Sequence, residues 1–222
     1  MSLPGKVQGA ISSVPGFDCN TTLSADLARQ FFTQGYKFCL RYLPRGQASS
    51  QDLTEQEATD ILNSGLALMP VQHARKQGWS PSQALGQQHG QEASANAGTV
   101  GFPDRVSLWC DLEGVNSSAQ AQDVIDYCQA WYEEVSAAGY IPGLYVGAEI
   151  LLSGRQLYDL PFQHYWRSQS QVPDIPHRAY QVIQLNPSIQ INGVRVDLDV
   201  ALNDGQGGAA QWLRVNTAFP GE

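Results

Sequence analysis

Three times in this chain a helix-like segment runs into a single glycine and then into an apolar strand with a polar end. Residues 24–34 lead through Gly35 to 36–43, residues 54–64 through Gly65 to 66–73, and residues 118–138 through Gly139 to 140–147. Each glycine sits where a left-handed cap closes a helix, because a residue without Cβ tolerates positive φ. Thr54-Glu55-Gln56-Glu57 reads as a capping box that fixes the start of the second helix. In the third, Val124, Ile125, Cys128, Tyr132 and Val135 fall on one stripe at helical spacing. Short glycine-marked connections between apolar strands imply parallel strands with helices packed outside them.

Eight strand candidates follow: 17–19, 36–43, 66–73, 106–113, 140–147, 164–168, 180–185 and 194–200. Only the first five are separated by enough chain for helices, so the last three must be joined by loops or single turns. A chain of 222 residues accommodates one small α/β barrel of TIM type. The expected organisation is an N-terminal tail over residues 1–14 and a single barrel over 15–222, with a glycine-rich exit loop at 203–210.

Composition narrows the functional classes. Hydrophobic residues make up 42% and charged residues 15%, the balance of a globular protein. No run approaches the roughly 18 apolar residues of a membrane-spanning helix. The first ten residues carry one positive charge and no apolar core, so no signal peptide is expected and synthesis is expected to be cytoplasmic. The net charge is -8 and the 13 basic residues form no run, which argues against nucleic acid as a partner. Cys19, Cys39, Cys110 and Cys128 show no C-x-x-C spacing and read as buried free thiols from a reducing compartment. Neither the histidines nor the glycines form a zinc, phosphate-loop or serine-elbow motif, so no metal or cofactor is expected.

The polar residues fall where a barrel would carry chemistry. In Val106-Ser107-Leu108-Trp109-Cys110-Asp111-Leu112-Glu113-Gly114, residues two apart share a face. Asp111 and Glu113 therefore project together, while Val106, Leu108, Cys110 and Leu112 line the opposite face. Two acids side by side push their pKa values apart, so that one can donate a proton while the other stays anionic. The last strand repeats the pattern, with Val194, Val196, Leu198 and Val200 alternating with Arg195, Asp197 and Asp199. Other strand ends offer Asp18, Arg41, His73, Tyr145, Trp166 and Gln184, and catalytic groups in such barrels come from the ends of several strands. Tyr145 and Trp166 either stack on a sugar face or fill the barrel mouth; His73 either binds substrate or is a hydrogen-bonded core residue. Asp199 either serves the site or pairs with Arg41 or Arg195.

Gly16-Phe17-Asp18, Phe38-Cys39-Leu40-Arg41-Tyr42, Leu68-Met69-Pro70-Val71, Asp111-Leu112-Glu113 and Val196-Asp197 together resemble the strand-end series of family 25 glycoside hydrolases, which are muramidases. The opening Gly-Phe-Asp, the Leu-Arg-Tyr-Leu of the second strand and the Pro-Val-Gln of the third are closer still to the glycoside-hydrolase-like domain once catalogued as domain of unknown function 1906. The resemblance implies a (β/α)5(β)3-type barrel acting on bacterial cell wall or another N-acetylated polysaccharide. It makes Glu113 the general acid, Asp111 its partner carboxylate, and Asp18 and Asp197 the remaining acids of the pocket. Arg41, His73, Tyr145, Trp166, Gln184 and Asp199 are then the candidate substrate-binding residues. Strand three departs from the muramidase pattern in ending Val71-Gln72-His73. Two other readings stay open: a carbohydrate-binding barrel without turnover, and a phosphodiesterase whose hard cation is held by Asp18, Asp111, Glu113 and Asp197.

Overall fold

Alternation of side chains on parallel strands dictates a cylinder with one packed layer inside and another outside, and the strands close in that way. The computed structural model describes residues 2–45, 48–73 and 75–215. Its elements are β1 (Lys6–Gly9), β2 (Val14–Cys19), α1 (Ala25–Thr33), β3 (Phe38–Leu43), α2 (Glu55–Ser64), β4 (Ala67–Gln72), α3 (Gln83–Val100), β5 (Ser107–Leu112), α4 (Ala121–Ala137), β6 (Ile141–Val146), α5 (Gly154–Asp159), β7 (His164–Arg167), β8 (Val182–Ile191) and β9 (Val194–Ala201). Three short strands follow, β10 (Asn203–Asp204), β11 (Gly208–Ala209) and β12 (Gln211–Arg214). β2 to β8 run parallel, each paired with the next, and β9 returns antiparallel between β8 and β2. The result is a closed eight-stranded barrel of TIM type, five βα units followed by three strands without full helices between them.

The wall has a gap that the chain ends repair. β4 and β5 pair only near their upper ends, at Val71–Trp109 and Gln72–Cys110. Below that point β12 enters, pairing Leu213 with Leu68 of β4, while the Gln211 N–H donates to Ser107 Oγ of β5 (2.8 Å). Residues 1–14 are therefore more than a tail, because β1 pairs along all four of its residues with β12 and satisfies its outer edge. The expected exit loop at 203–210 contains the β10–β11 hairpin. The last stretch of the expected barrel unit, residues 216–222, lies outside the described residues.

Two apolar layers result. Phe17, Phe31, Leu62, Leu108, Cys110 and Trp131 belong to the layer between barrel and helices. Phe38, Leu40, Met69, Trp109, Trp166 and Trp212 fill the interior. All four cysteines are free and buried. α3 also ends at a left-handed glycine, Gly101, but its interior glycines weaken the helical pattern by about 1 kcal/mol each. Gly86 and Gly90 face α4: a Cβ on Gly86 would lie 2.2 Å from the Tyr127 carbonyl oxygen, so only glycine lets the two backbones cross so closely. No helix among the described residues is long and apolar enough to cross a membrane.

The lower end of the barrel is sealed by a short polar chain beside Trp212. Gln211 N–H donates to Ser107 Oγ, the Ser107 hydroxyl lies 3.1 Å from His164 Nδ1, and His164 Nε2 lies 3.1 Å from the Gly207 carbonyl. A carbonyl can only accept, so Nε2 carries the ring hydrogen and Nδ1 accepts from the serine. Burial lowers the His164 pKa to about 4, keeping it neutral. Trp212 is fully buried above this chain. Trp212→Ala is expected to cost about 3–5 kcal/mol in urea unfolding, whereas Leu185→Ala, at a 41% exposed position, should change stability by no more than about 0.5 kcal/mol.

Candidate active site

Inward-facing residues at the upper strand ends meet in a cleft of about 310 Å³. Asp18 comes from β2, Tyr42 from β3, Asp111 from β5 and Asp197 from β9, while His73 and Glu113 stand one residue beyond β4 and β5. Asp18 and Asp197 are direct partners in the antiparallel β2–β9 register, so two acids face the cleft side by side. The backbone fixes Glu113 from two directions. Its carbonyl accepts from Trp79 Nε1 (2.8 Å), and a Cβ on Gly147 would come within 2.3 Å of the Glu113 Cβ. Glycine at the end of β6 is thus what leaves room for this carboxylate.

Beneath the cleft the acids are held by neutral donors. Tyr42 OH donates to Asp18 Oδ1 (3.0 Å) and Gln184 Nε2 to Asp18 Oδ2 (2.8 Å). Gln184 Oε1 in turn accepts from Tyr145 OH (3.1 Å), and Trp166 Nε1 donates to Asp199 Oδ1 (2.9 Å). Asp199 Oδ2 is buried without a hydrogen-bond partner among the described residues. Burial, with the Asp197 charge adding to it, pushes Asp18 up to about 7 against the pull of Gln184 and Tyr42. Burial also raises Asp199 well above the ordinary carboxylate range, with Asp18 adding to the effect. Asp111 is raised well above that range too, first by burial and then by Glu113 and Asp18, with Arg45 opposing. Its Oδ1 is buried without a hydrogen-bond partner among the described residues. Glu113, less deeply buried, is raised by burial and then by Asp197.

The structure therefore brings together Asp18, Asp111, Glu113, Asp197 and His73, and separates the other expected residues from the cleft surface. Tyr145, Gln184, Trp166 and Asp199 lie under it as buried supports rather than lining it. No arginine pairs with Asp199 among the described residues; it accepts from Trp166 instead. Arg41 is the clear correction. On β3, Phe38, Leu40 and Tyr42 face inward, so Arg41 faces the helices and is fully buried there. It makes a bidentate pair with Glu57 (2.7 and 3.1 Å) and donates to the carbonyls of Cys19 (2.6 Å) and Gln51 (2.8 Å). Glu57 is thereby taken from the expected capping box: Thr54 still accepts from Glu57 N–H, but the Glu57 carboxylate serves Arg41 and the Leu23 N–H instead.

Tyr42 and Arg195 also line the cleft, and neither stands among the expected site residues. The Tyr42 ring packs 5.1 Å from that of His73. Strand parity is the signal that finds Tyr42, since it is the inward neighbour of Arg41. No three histidine, cysteine, aspartate or glutamate side chains among the described residues stand close enough together to hold a metal ion. The acids line one concave surface, an arrangement suited to protonating and steadying a neutral substrate.

A model of the Rv2525c-like, glycoside hydrolase-like domain family matches residues 29–201. Among solved structures, the Tat-secreted protein Rv2525c of Mycobacterium tuberculosis, in complex with HEPES, is similar at 17% identity and a TM-score of 0.65, covering 88% of this chain and 98% of that one. A muramidase from Trichobolus zukalii is similar at 15% identity and 0.63, covering 85% and 93%. A family 25 glycosyl hydrolase from Bacillus anthracis is similar at 15% identity and 0.61, covering 87% and 91%. At these identities the likeness is one of fold. No curated protein matches the sequence.

The raised acids carry a signature in stability. A carboxyl whose pKa is about 7 in the folded chain and about 3.9 unfolded contributes stability that is full below pH 4 and lost as pH rises through 7. Asp18→Asn removes that contribution. Chemical denaturation from pH 4 to 8 should therefore show the variant gaining on the wild type as pH rises, and a constant difference across that range would contradict the shift.

Proposed function

Because the chain belongs to the Rv2525c-like family of glycoside hydrolase-like domains, we propose that it hydrolyses a glycosidic bond in an N-acetylated polysaccharide such as bacterial cell wall. One observation carries the reading. Glu113 stands at the mouth of a cleft with its pKa raised by burial and by Asp197, and it faces the same space as the more deeply buried Asp18 and Asp111. A carboxyl held protonated above its ordinary range is what transfer to a leaving glycosidic oxygen needs.

The other groups take complementary parts. Asp197, half-buried on β9 and accepting a hydrogen bond from Ser188, presents charge toward the ring that becomes cationic. Asp111, raised by burial and its acidic neighbours, lines the same cleft with a carboxyl suited to an acetamido or hydroxyl oxygen of the sugar. Asp18 is locked from below by Tyr42 and Gln184, so it fixes the cleft floor. His73 and Tyr42 supply a partly apolar wall through their packed rings. The muramidases and the family 25 hydrolase of like fold support this choice of substrate.

Release of reducing ends from purified cell wall and from N-acetylated oligosaccharides tests it. Glu113→Gln should lose about 10²- to 10⁴-fold in kcat. The wild-type rate should fall as pH rises through the Glu113 pKa, which lies above the roughly 4.3 of an ordinary glutamate. Equal rates for both proteins would remove Glu113 from the role of acid. Glycan binding without cleavage by either would make the barrel a binding module.

A further inference from the structure

The acid cleft does not end at Glu113. A second cavity of about 250 Å³ uses Glu113 as one wall and is bounded beyond it by Arg75, Gln77 and Glu149. A third, of about 400 Å³, continues from Gln77 and Glu149 to Asn116, Ser117 and Leu151. Shared walls make the three one trench across the upper barrel face. Each cavity is at or near the range of about 300–1,000 Å³ typical of small-molecule sites.

The floor of this extension is hydrogen-bonded backbone. Gly78 N–H donates to the Gly114 carbonyl (2.7 Å) and Asn116 N–H to that of Trp79 (2.8 Å). Gly114 N–H donates to Ala148 (2.9 Å) and Val115 N–H to Glu149 (3.2 Å). The loops after β4, β5 and β6 thus form a small ladder on top of the barrel, with Trp79 and Val115 bridged in parallel. Glu149 and Leu151 adopt left-handed backbone, with φ of 57° and 60°, which is unfavourable for residues with a Cβ. Such conformations persist where the surroundings over-determine them, and they cluster at ligand clamps. Here they turn the Glu149 carboxylate toward Gln77, whose Nε2 donates to it (3.1 Å), and leave Leu151 exposed on the same wall. Amide, carboxylate and guanidinium groups together with an exposed alkyl side chain match a pyranose, which has hydroxyls at its edge and C–H bonds on its faces.

Resting on the assignment of Glu113 as acid, we propose that the trench lined by Arg75, Gln77, Asn116, Glu149 and Leu151 binds the leaving-group side of the polysaccharide, beyond the cleaved bond. The direction follows from the acids. The ring that becomes cationic must lie in the cleft holding Asp18, Asp111 and Asp197, and the acid protonates the oxygen leading out of that ring. The sugars past that oxygen therefore enter the cavity on the far side of Glu113. The chain is then built to cut within a glycan rather than to release a small aglycone.

The test compares two substrates with the same sugar in the acid cleft: a soluble N-acetylated glycan polymer, and an aryl glycoside whose leaving group is too small to reach Gln77. Gln77→Ala removes a polar contact, and Ser117→Trp fills the trench from its exposed rim. For both variants kcat/KM on the polymer should fall about tenfold further than on the aryl glycoside, the scale of one or two lost hydrogen bonds. Equal losses on the two substrates, or none, with an active wild type would overturn the trench and leave the acid assignment standing. If the wild type cleaves neither, calorimetric titration with the polymer decides. Binding weakened by Ser117→Trp keeps the trench as a glycan site while the acid role fails; absent or unaffected binding ends both.

Discussion

Burying Asp18, Asp111 and Asp199 at one end of a barrel sets terms that the surrounding residues must meet. A carboxylate removed from water costs several kcal/mol unless it is paired or protonated. Among the described residues none of the three is paired with a cation. The chain instead surrounds them with neutral donors, Tyr42 and Gln184 on Asp18 and Trp166 on Asp199, and burial raises their pKa values. Arginine in that position would have lowered their pKa values and fixed the acids as anions. Neutral donors lower the pKa values less than a guanidinium would, so they hold the geometry while burial keeps the values high, which is the condition for proton transfer near neutral pH.

The other end of the barrel makes this possible. Trp212, Trp109 and Phe38 fill the interior below the acids, and the Ser107–His164–Gly207 chain closes the base with the Arg178–Asp204 ion pair beside Gly207. A dry floor keeps the local dielectric low, so each charge above it is felt by its neighbours more strongly than in water. The ion pair of Arg41 with Glu57 lies on the side of the β3 wall opposite the acids. There it ties the end of β2 and the Gln51 carbonyl to α2, bracing the rim while leaving the acids unneutralised.

Much of this was readable from the alternation of side chains. The eight barrel strands, the outward face of Val106, Leu108, Cys110 and Leu112, and the convergence of Asp18, Asp111, Glu113 and Asp197 all follow from a period of two on strands that close. The same parity places Arg41 outward and Tyr42 inward, yet a charged residue at a strand end draws attention before its phenolic neighbour. Glu57 satisfied the capping pattern while its carboxylate was needed elsewhere, because a buried guanidinium is a stronger claim on a carboxylate than a solvent-exposed backbone N–H. α3 was masked since its glycines answer to α4, a partner far away in sequence. β1 and β12 are four-residue strands whose pairing spans almost the whole chain, and no local pattern encodes such a contact.

The upper loops complete the picture because they fix Glu113, the proposed acid, rather than merely surround it. Glu113 lies one residue past β5, where a free loop would let its position wander by more than proton transfer tolerates. Its backbone is instead tied to Trp79, its neighbour Gly114 is paired on both sides, and Gly147 admits its side chain against β6. Trp79 is itself covered by the Arg75 guanidinium, 5.0 Å from the ring, and Arg75 is held against His89, whose pKa burial lowers to about 3 so that it stays neutral beside a cation. Residues that line the trench and residues that set the acid are therefore the same short segments. On the proposed reading, a glycan in the trench would lie against the backbone ladder that holds Glu113.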